Sequence, residues 1–435
     1  MEVQKGWAFV PFYYIVFNDM CYNIGEDDEM KYIYPMLMLV LFLSLSGCTQ
    51  NNGPRTAKMI DLSNKALSDV TTYADFNNLN LKIKREYSTE IDKDKIISQS
   101  IASDAIYKEG QDLTVTVSLG PVPISVYQQY KVNELGNVPI MMYHSIYNMK
   151  NDDTKYTGGN VDKDGYNRTA EAFRNDLEMY YAKGYRMVRL IDYMNGNIDV
   201  KLGKSPIVLT FDDGNKDAIT VLGLDDNGNL IIDPNCVVGI LESFKKKYPD
   251  FNVTATFFPN EGLFYQEKYN DKILKWLVDH GYDVGNHTKT HPDITKLSTD
   301  QTQKEVAYVY QLLDKVIPNR YVNIVALPYG SPYSKSNANF PYILKGNYDG
   351  YKYETLGTLR VGWDANQSPF STSFDKTFMK RVRAWDNNGK EFDIEMVFKN
   401  LERNRYISDG DKNTIVITND TNLNKEIKNK KIIKY

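Results

Sequence analysis

Apolar and polar positions change their spacing several times along the chain, and each change marks an element. Between residues 63 and 76, Leu67, Val70, Tyr73 and Phe76 recur at helical intervals, which predicts a helix with one apolar stripe. From 79 to 87 the period drops to two (Leu79, Leu81, Ile83, Arg85, Tyr87), as in a half-buried strand. Residues 95–100 and 113–120 read as two further strands, the last closed by Gly120 and Pro121. From Val138 onward, short apolar runs alternate with amphipathic stretches. The runs are 138–143, 187–190, 207–211, 254–258 and 324–327, and the helical stretches are 169–183, 237–248, 272–280 and 299–316. Strands alternating with helices predict a parallel α/β sheet or barrel. In such a barrel, chemistry gathers where the strands end.

The ends of these strands carry the reactive side chains. The strand 207–211 runs into Asp212-Asp213-Gly214, and 138–143 runs into His144-Ser145. A short strand within 281–285 exits into His287-Thr288-Lys289-Thr290-His291, which holds two of only four histidines. Tyr329 follows the strand 324–327. Two imidazoles four residues apart and one strand-end carboxylate are the protein ligands of an open zinc-type site. The neighbouring carboxylate is then free to act as a base.

Size and composition narrow the rest. A chain of 435 residues exceeds one average domain, so two globular units and a targeting segment are expected. A net charge of −4 gives no reason to expect nucleic acid as a partner. Three cysteines, Cys21, Cys48 and Cys236, suggest neither a disulfide framework nor a cysteine-rich metal cluster. Cys236 reads as an inert, partly buried thiol.

The front end reads as an address. Met30-Lys31 is followed by an apolar run over 33–45 and by small residues, the plan of a secretory signal. The run falls short of the ~20 residues that span a bilayer. Residues 1–29, acidic at Glu26, Asp27, Asp28 and Glu29, read as an over-extended start, and 49–56 as a polar tether. Leu45-Ser46-Gly47-Cys48 resembles the bacterial lipoprotein box. That resemblance makes 30–48 a signal peptide cleaved before Cys48. It also implies a lipid anchor on Cys48 that holds the exported protein on the outer face of the membrane.

Two family resemblances follow from the motifs. The helix and three strands of 57–120, with Ile96-Ile97-Ser98-Gln99-Ser100, Glu109-Gly110 and the closing 115–120 strand, resemble a PASTA domain. This implies a place at the cell wall. Residues 121–137 form the linker. The region 138–435 resembles the NodB-homology polysaccharide deacetylases, the fourth carbohydrate-esterase family. Thr210-Phe211-Asp212-Asp213-Gly214 matches the first motif and His287-Thr288-Lys289-Thr290-His291 the second. The resemblance implies an α/β fold, a distorted (β/α)7 barrel, and metal-dependent N-deacetylation of amino sugars in peptidoglycan or poly-N-acetylglucosamine. It makes Asp213, His287 and His291 the ligands of one divalent ion, most simply Zn2+. It makes Asp212 the general base, and the backbone N–H of Tyr329 the oxyanion donor.

The pattern breaks at two motifs. The third motif's arginine position holds Ala326, and the fifth motif's histidine position holds Asn419. The fourth motif has only weak candidates in Arg360 and Gly362-Trp363-Asp364. Pro139-Ile140-Met141-Met142-Tyr143-His144-Ser145 resembles the first strand of exported poly-N-acetylglucosamine deacetylases, which implies that His144 is the general acid. The competing readings are a sugar-binding protein that has lost turnover and a metal-dependent O-acyl esterase.

Overall fold

A computed structural model of the protein describes residues 54–419 and 421–435. The start at Met30, the signal segment and Cys48 lie outside the described residues. Among the described residues, no helix is long and apolar enough to cross a membrane. They group into two compact units. One runs up to Ile83 and adds Ser98–Val115; the other is Lys84–Ile97 with Thr116–Tyr435.

In the N-terminal region, β1 (Thr56–Lys58) precedes helix α1 (Leu67–Phe76), and then come β2 (Asn80–Glu86), β3 (Ile96–Gln99), β4 (Ile106–Lys108) and β5 (Asp112–Ser118). Strands β1 and β4 pair antiparallel, and a three-stranded sheet has the order β2-β5-β3. The central strand β5 alternates strictly, with Leu113, Val115 and Val117 buried. Two expectations change here. The buried stripe of α1 is Val70 and Ala74, four residues apart, while Phe76 is 89% exposed at the helix end. Strand β2 lies at the sheet edge and is mostly exposed rather than half-buried.

In the second unit, seven parallel strands matter to the site. They are β6 (Ile140–Tyr143), β7 (Tyr185–Met187), β8 (Ser205–Asp213), β9 (Thr256–Pro259), β10 (Asp283–Val284), β11 (Ile324–Ala326) and β12 (Gly357–Leu359), followed by β13 (Val382–Arg383). Continuous ladders run β10-β9-β8-β6-β13, with β7 on the start of β8, and β11 pairs β12 separately. Two single bridges, Asn286↔Val325 and Leu359↔Met379, link these two sets. The α/β class holds, but ladders do not run continuously around the ring that the barrel expectation requires. Helices α2 (Ala170–Ala182), α3 (Val237–Lys247), α4 (Asn270–Asp279), α5 (Thr299–Val316) and α6 (Ile394–Leu401) alternate with the strands. The strand expected over 187–190 ends at Met187. Leu190 instead opens a short helix, because Leu190, Tyr193 and Met194 bury one helical face.

Strand β8 explains how the site is placed. Its odd positions Leu209 and Phe211 join the large outer core with Met141, Tyr143 and Phe257. Register pairs Phe211 with both Tyr143 and Phe257. Their rings stack at 5.3 and 5.2 Å between centroids. Strand alternation then sends Thr210 and Asp212 to the opposite face, and both are buried. His144 follows Tyr143, so it lies level with Asp212 on the neighbouring strand.

Candidate functional site

The structure gathers the strand-end residues around one cavity of about 280 Å³. Its walls include His144, Tyr166, Asp212, Asp213, His287, His291 and Tyr329. Asp213, His287 and His291 offer ligand atoms that all lie within 4.8 Å of one another. Asp213 Oδ1 is 3.2 Å from His287 Nε2 and 3.6 Å from His291 Nε2.

Tight turns bring these groups together. Asp213, Thr288, His291 and Tyr329 all hold positive φ, between 55° and 71°. Such backbone is costly for side chains with a Cβ and is retained where surrounding contacts impose it. Gly214 completes the β8 turn, where an added Cβ would meet the Leu263 carbonyl at 2.2 Å. The histidine loop is not a helix. Asn286 accepts from the Thr288 N–H at 2.8 Å, and Glu305 on α5 accepts from both the N–H and the hydroxyl of Thr290.

His287 is prepared as a ligand. Its Nδ1 bonds the Ala326 carbonyl at 2.8 Å, which leaves Nε2 as the lone-pair nitrogen. That Nε2 is buried, and the group facing it is Asp213 Oδ1 at 3.2 Å, an ion-pair contact with no hydrogen bond assigned to the nitrogen. A buried orphan atom facing a carboxylate and a second imidazole fits the role of a metal-ligating histidine. Charges in the site agree. Burial pulls His287 down, but Asp212 and Asp213 overrule it and hold the imidazole above its usual range. Burial raises Asp213, yet His287 beside it brings it below the ordinary carboxylate range. Burial and the nearby His287 keep His291 low.

Asp212 is 3% exposed and meets a residue that the sequence did not reveal. Arg381, 0% exposed, grips both Asp212 oxygens at 2.7 and 2.6 Å. It also donates to Thr210 Oγ1 at 3.2 Å and to the Arg360 carbonyl at 2.8 Å. Burial pushes the Asp212 carboxyl up, and the Arg381 guanidinium more than offsets this, keeping it ionised. The supporting network, expected to be missing because of Ala326, is supplied by Arg381 from just before β13. Nothing in the local sequence around Arg381 marks it. Only the inward alternation of β8 points to a need for a partner.

His144 Nε2 stands 4.0 Å from Asp212 Oδ2. Its Nδ1 is buried without a partner, and burial lowers its pKa. Asn419 is exposed, and its side-chain oxygen accepts from the nearby Thr421 N–H. His280 caps the end of α4 and stacks on Trp276 at 3.7 Å, a structural role outside the cavity. Cys236 is buried, and its sulfur accepts the Gly239 N–H at the start of α3. The Asp225–Asn229 stretch is a self-bonded turn in which Asp225 accepts from the Asn227 and Asn229 N–H groups.

A strand-end carboxylate, two imidazoles and an Arg-clamped second carboxylate thus meet at one cavity. Comparison with known proteins finds that residues 199–343 match the polysaccharide deacetylase family and residues 57–119 the PASTA domain. Among curated proteins it is similar to the peptidoglycan-N-acetylmuramic acid deacetylase PdaC of Bacillus subtilis, 24% identical over 196 residues, covering 44% of this chain and 32% of the relative. It is also similar to PdaA of the same organism, 30% identical over 128 residues, covering 29% and 43%. The chain thus spans less than half the length of these two relatives. Among solved structures, the Streptococcus pyogenes deacetylase PplD in complex with acetate aligns over 60% of this chain and 98% of that one, with 18% identity and a TM-score of 0.42.

Proposed function

We propose that the protein removes acetyl groups from the amino nitrogen of an N-acetylated cell-wall or surface glycan. The observation that carries this reading is the buried, partnerless Nε2 of His287 facing Asp213 and His291, beside an ionised Asp212. Asp213, His287 and His291 would hold one divalent ion, Zn2+ by the character of the donors. Such an ion supplies Lewis acidity to the acetamide carbonyl and to the attacking water.

The chain's own groups do the rest. Asp212, fixed by two hydrogen bonds from Arg381, takes the proton of the attacking water. The backbone N–H of Tyr329 stabilises charge on the former carbonyl oxygen. His144 gives a proton to the leaving nitrogen. The buried Arg381–Asp212 pair favours turnover over the sugar-binding reading, because it maintains an ionised base at the cavity.

The reading extends to the whole chain. Residues 57–120 form the PASTA domain, 121–137 the linker and 138–435 the catalytic domain. The names of the relatives support a cell-wall location, and a lipid on Cys48 would keep the enzyme on the outer face of the membrane. The test is acetate release from a panel of acetylated glycans, run on chelator-treated protein with and without added zinc. Release from peptidoglycan or poly-N-acetylglucosamine fragments that depends on zinc supports the proposal. Release of O-linked acetate alone would favour the esterase reading.

A further inference from the structure

His287 is oriented by a hydrogen bond to a backbone carbonyl, but His144 has no such anchor, because its Nδ1 is buried and unpartnered. Packing must set its ring. The contact is Tyr166, whose ring meets the His144 imidazole edge-on, at 5.1 Å and 89°. Both side chains line the catalytic cavity.

Tyr166 is itself held from behind. The Arg383 guanidinium lies 4.4 Å from its ring centre, and the same guanidinium lies 3.8 Å from the Trp363 ring. Trp363 stacks in turn on Phe392 at 4.9 Å and 29°. A column Phe392–Trp363–Arg383–Tyr166 therefore ends on His144. Arg383 is 5% exposed, and among the described residues it forms no ion pair; its Nε has no hydrogen-bond partner. A buried guanidinium that ring faces hold in place of a carboxylate works as a packing plate.

The loop carrying Tyr166 is fixed as well. Asp162 accepts from the N–H groups of Asp164, Tyr166 and Asn167. Gly165 sits so close to Trp385 that an added Cβ would meet its ring at 2.1 Å. Asn167 Oδ1 accepts from the Ser145 N–H at 3.2 Å, tying the loop to the turn that presents His144.

We propose that Tyr166, backed by Arg383, is the positioning residue for His144 as general acid. The proposal rests on the deacetylase reading above. Hydrolysis of the acetamide joins water's oxygen to the acetyl carbon and breaks the carbon–nitrogen bond, and the nitrogen must leave with a proton. His144 supplies that proton only if its ring points at the nitrogen. An aryl acetate needs no such proton, because nitrophenolate leaves as an anion.

The experiment compares acetate release from an N-acetylglucosamine oligomer with hydrolysis of 4-nitrophenyl acetate by the zinc-loaded full chain. Tyr166→Leu should lower kcat on the oligomer roughly ten- to a hundredfold, the scale of a misaligned catalytic group. KM and metal content should be kept, and the aryl ester rate should fall far less. Tyr166→Phe should recover most of the loss, because the ring is what contacts His144. Arg383→Lys, which keeps the charge but not the plate, should show the same selective loss in weaker form. Adding Tyr166→Leu to His144→Ala should cost little more. Equal losses on both substrates, or an unchanged oligomer rate, would overturn the proposal. If Tyr166→Leu does not fold, Arg383→Lys decides by the same ratio. A parent that releases acetate from no glycan removes the deacetylase reading, which is a separate failure.

Discussion

Arg381→Met removes the partner of the base while keeping much of the side-chain volume. Arg381 and Asp212 are 0% and 3% exposed and meet through two hydrogen bonds of 2.7 and 2.6 Å, so solvent does not screen the pair. Breaking a buried pair from one side leaves an uncompensated charge, at a cost of about 3–5 kcal/mol. The loss should show as a lower urea midpoint for the second unit. Tryptophan fluorescence reports mainly on that unit, because three of the four tryptophans, Trp276, Trp363 and Trp385, lie in it. The pH dependence has a definite sign. Asp212 is held below its ordinary value in the folded protein, so the pair's contribution is present above the ordinary carboxylate range and fades as pH falls through the folded value. The gap between parent and variant should therefore be full at neutral pH and narrow in acid. Without Arg381, burial drives the Asp212 carboxyl upward. Only the ionised form can take a proton, so the acid limb of kcat/KM should move to higher pH. Arg381→Lys, which keeps the charge but loses the two-point grip, should fall between parent and Arg381→Met. A stability loss below about 1 kcal/mol, the scale of an exposed pair, together with an unmoved acid limb, would refute the reasoning.

Elemental analysis of the purified protein should find about one zinc-type ion per chain, as expected for a three-ligand open site. His287→Ala should lose it, and retention of the ion would remove His287 from the ligand set. His144→Ala should keep the ion but lower glycan deacetylation by roughly 10²–10⁴-fold, the worth of a positioned acid. Full activity would assign the acid elsewhere. Asp212 and Asp213 hold the His287 imidazole above its usual value, and an ion binds only its unprotonated Nε2, so protons and metal compete for the site. Metal affinity should therefore rise with pH through the histidine range, with proton release visible by calorimetry in buffers of different ionisation heat. Affinity flat across that range would contradict this account.

The sequence made the first two motifs legible because each is local. Asp212, Asp213 and Gly214 are consecutive at a strand end, and His287 and His291 share one loop. Their chemistry depends on short spacing, and short spacing survives in sequence. The alternation that turns Phe211 outward and Asp212 inward was not readable, because this strand is buried on both faces and its apolar run carries no period of two. Phe76 and β2 misled for the opposite reason. Periodicity gives a stripe but not whether a covering layer exists, and here Phe76 is 89% exposed.

Ala326 was the point where reading by motif failed. An arginine position filled by alanine looks like a lost support for the base. Yet residue 326 still serves the site through its backbone, since its carbonyl accepts from His287 Nδ1. That duty places no demand on the side chain. The guanidinium that grips Asp212 arrives 55 residues later, from Arg381 just before β13, which is separated from β8 by β6 alone. What the chemistry fixes is a bidentate donor at the inward face of β8, level with Asp212 and Thr210. Any strand that passes that face could supply it, so the requirement belongs to a place in the fold and not to a position in a motif. The same logic applies to the acid. Asn419 lies exposed beyond the last core strand, while His144 reaches Asp212 because register places it one residue past the Phe211↔Tyr143 pair. A sequence comparison scores the missing arginine and histidine as two losses. The structure sets two groups against the end of β8: a fully buried arginine on Asp212, and an imidazole 4.0 Å from the same carboxylate, the group the sequence had already pointed to; in the proposed reading they would stand in for the two motif residues. Burial pushes the Asp212 carboxyl up and Arg381 offsets it, so an arginine at this depth favours the proposed reading, in which Asp212 takes a proton, over one in which the site only holds sugar.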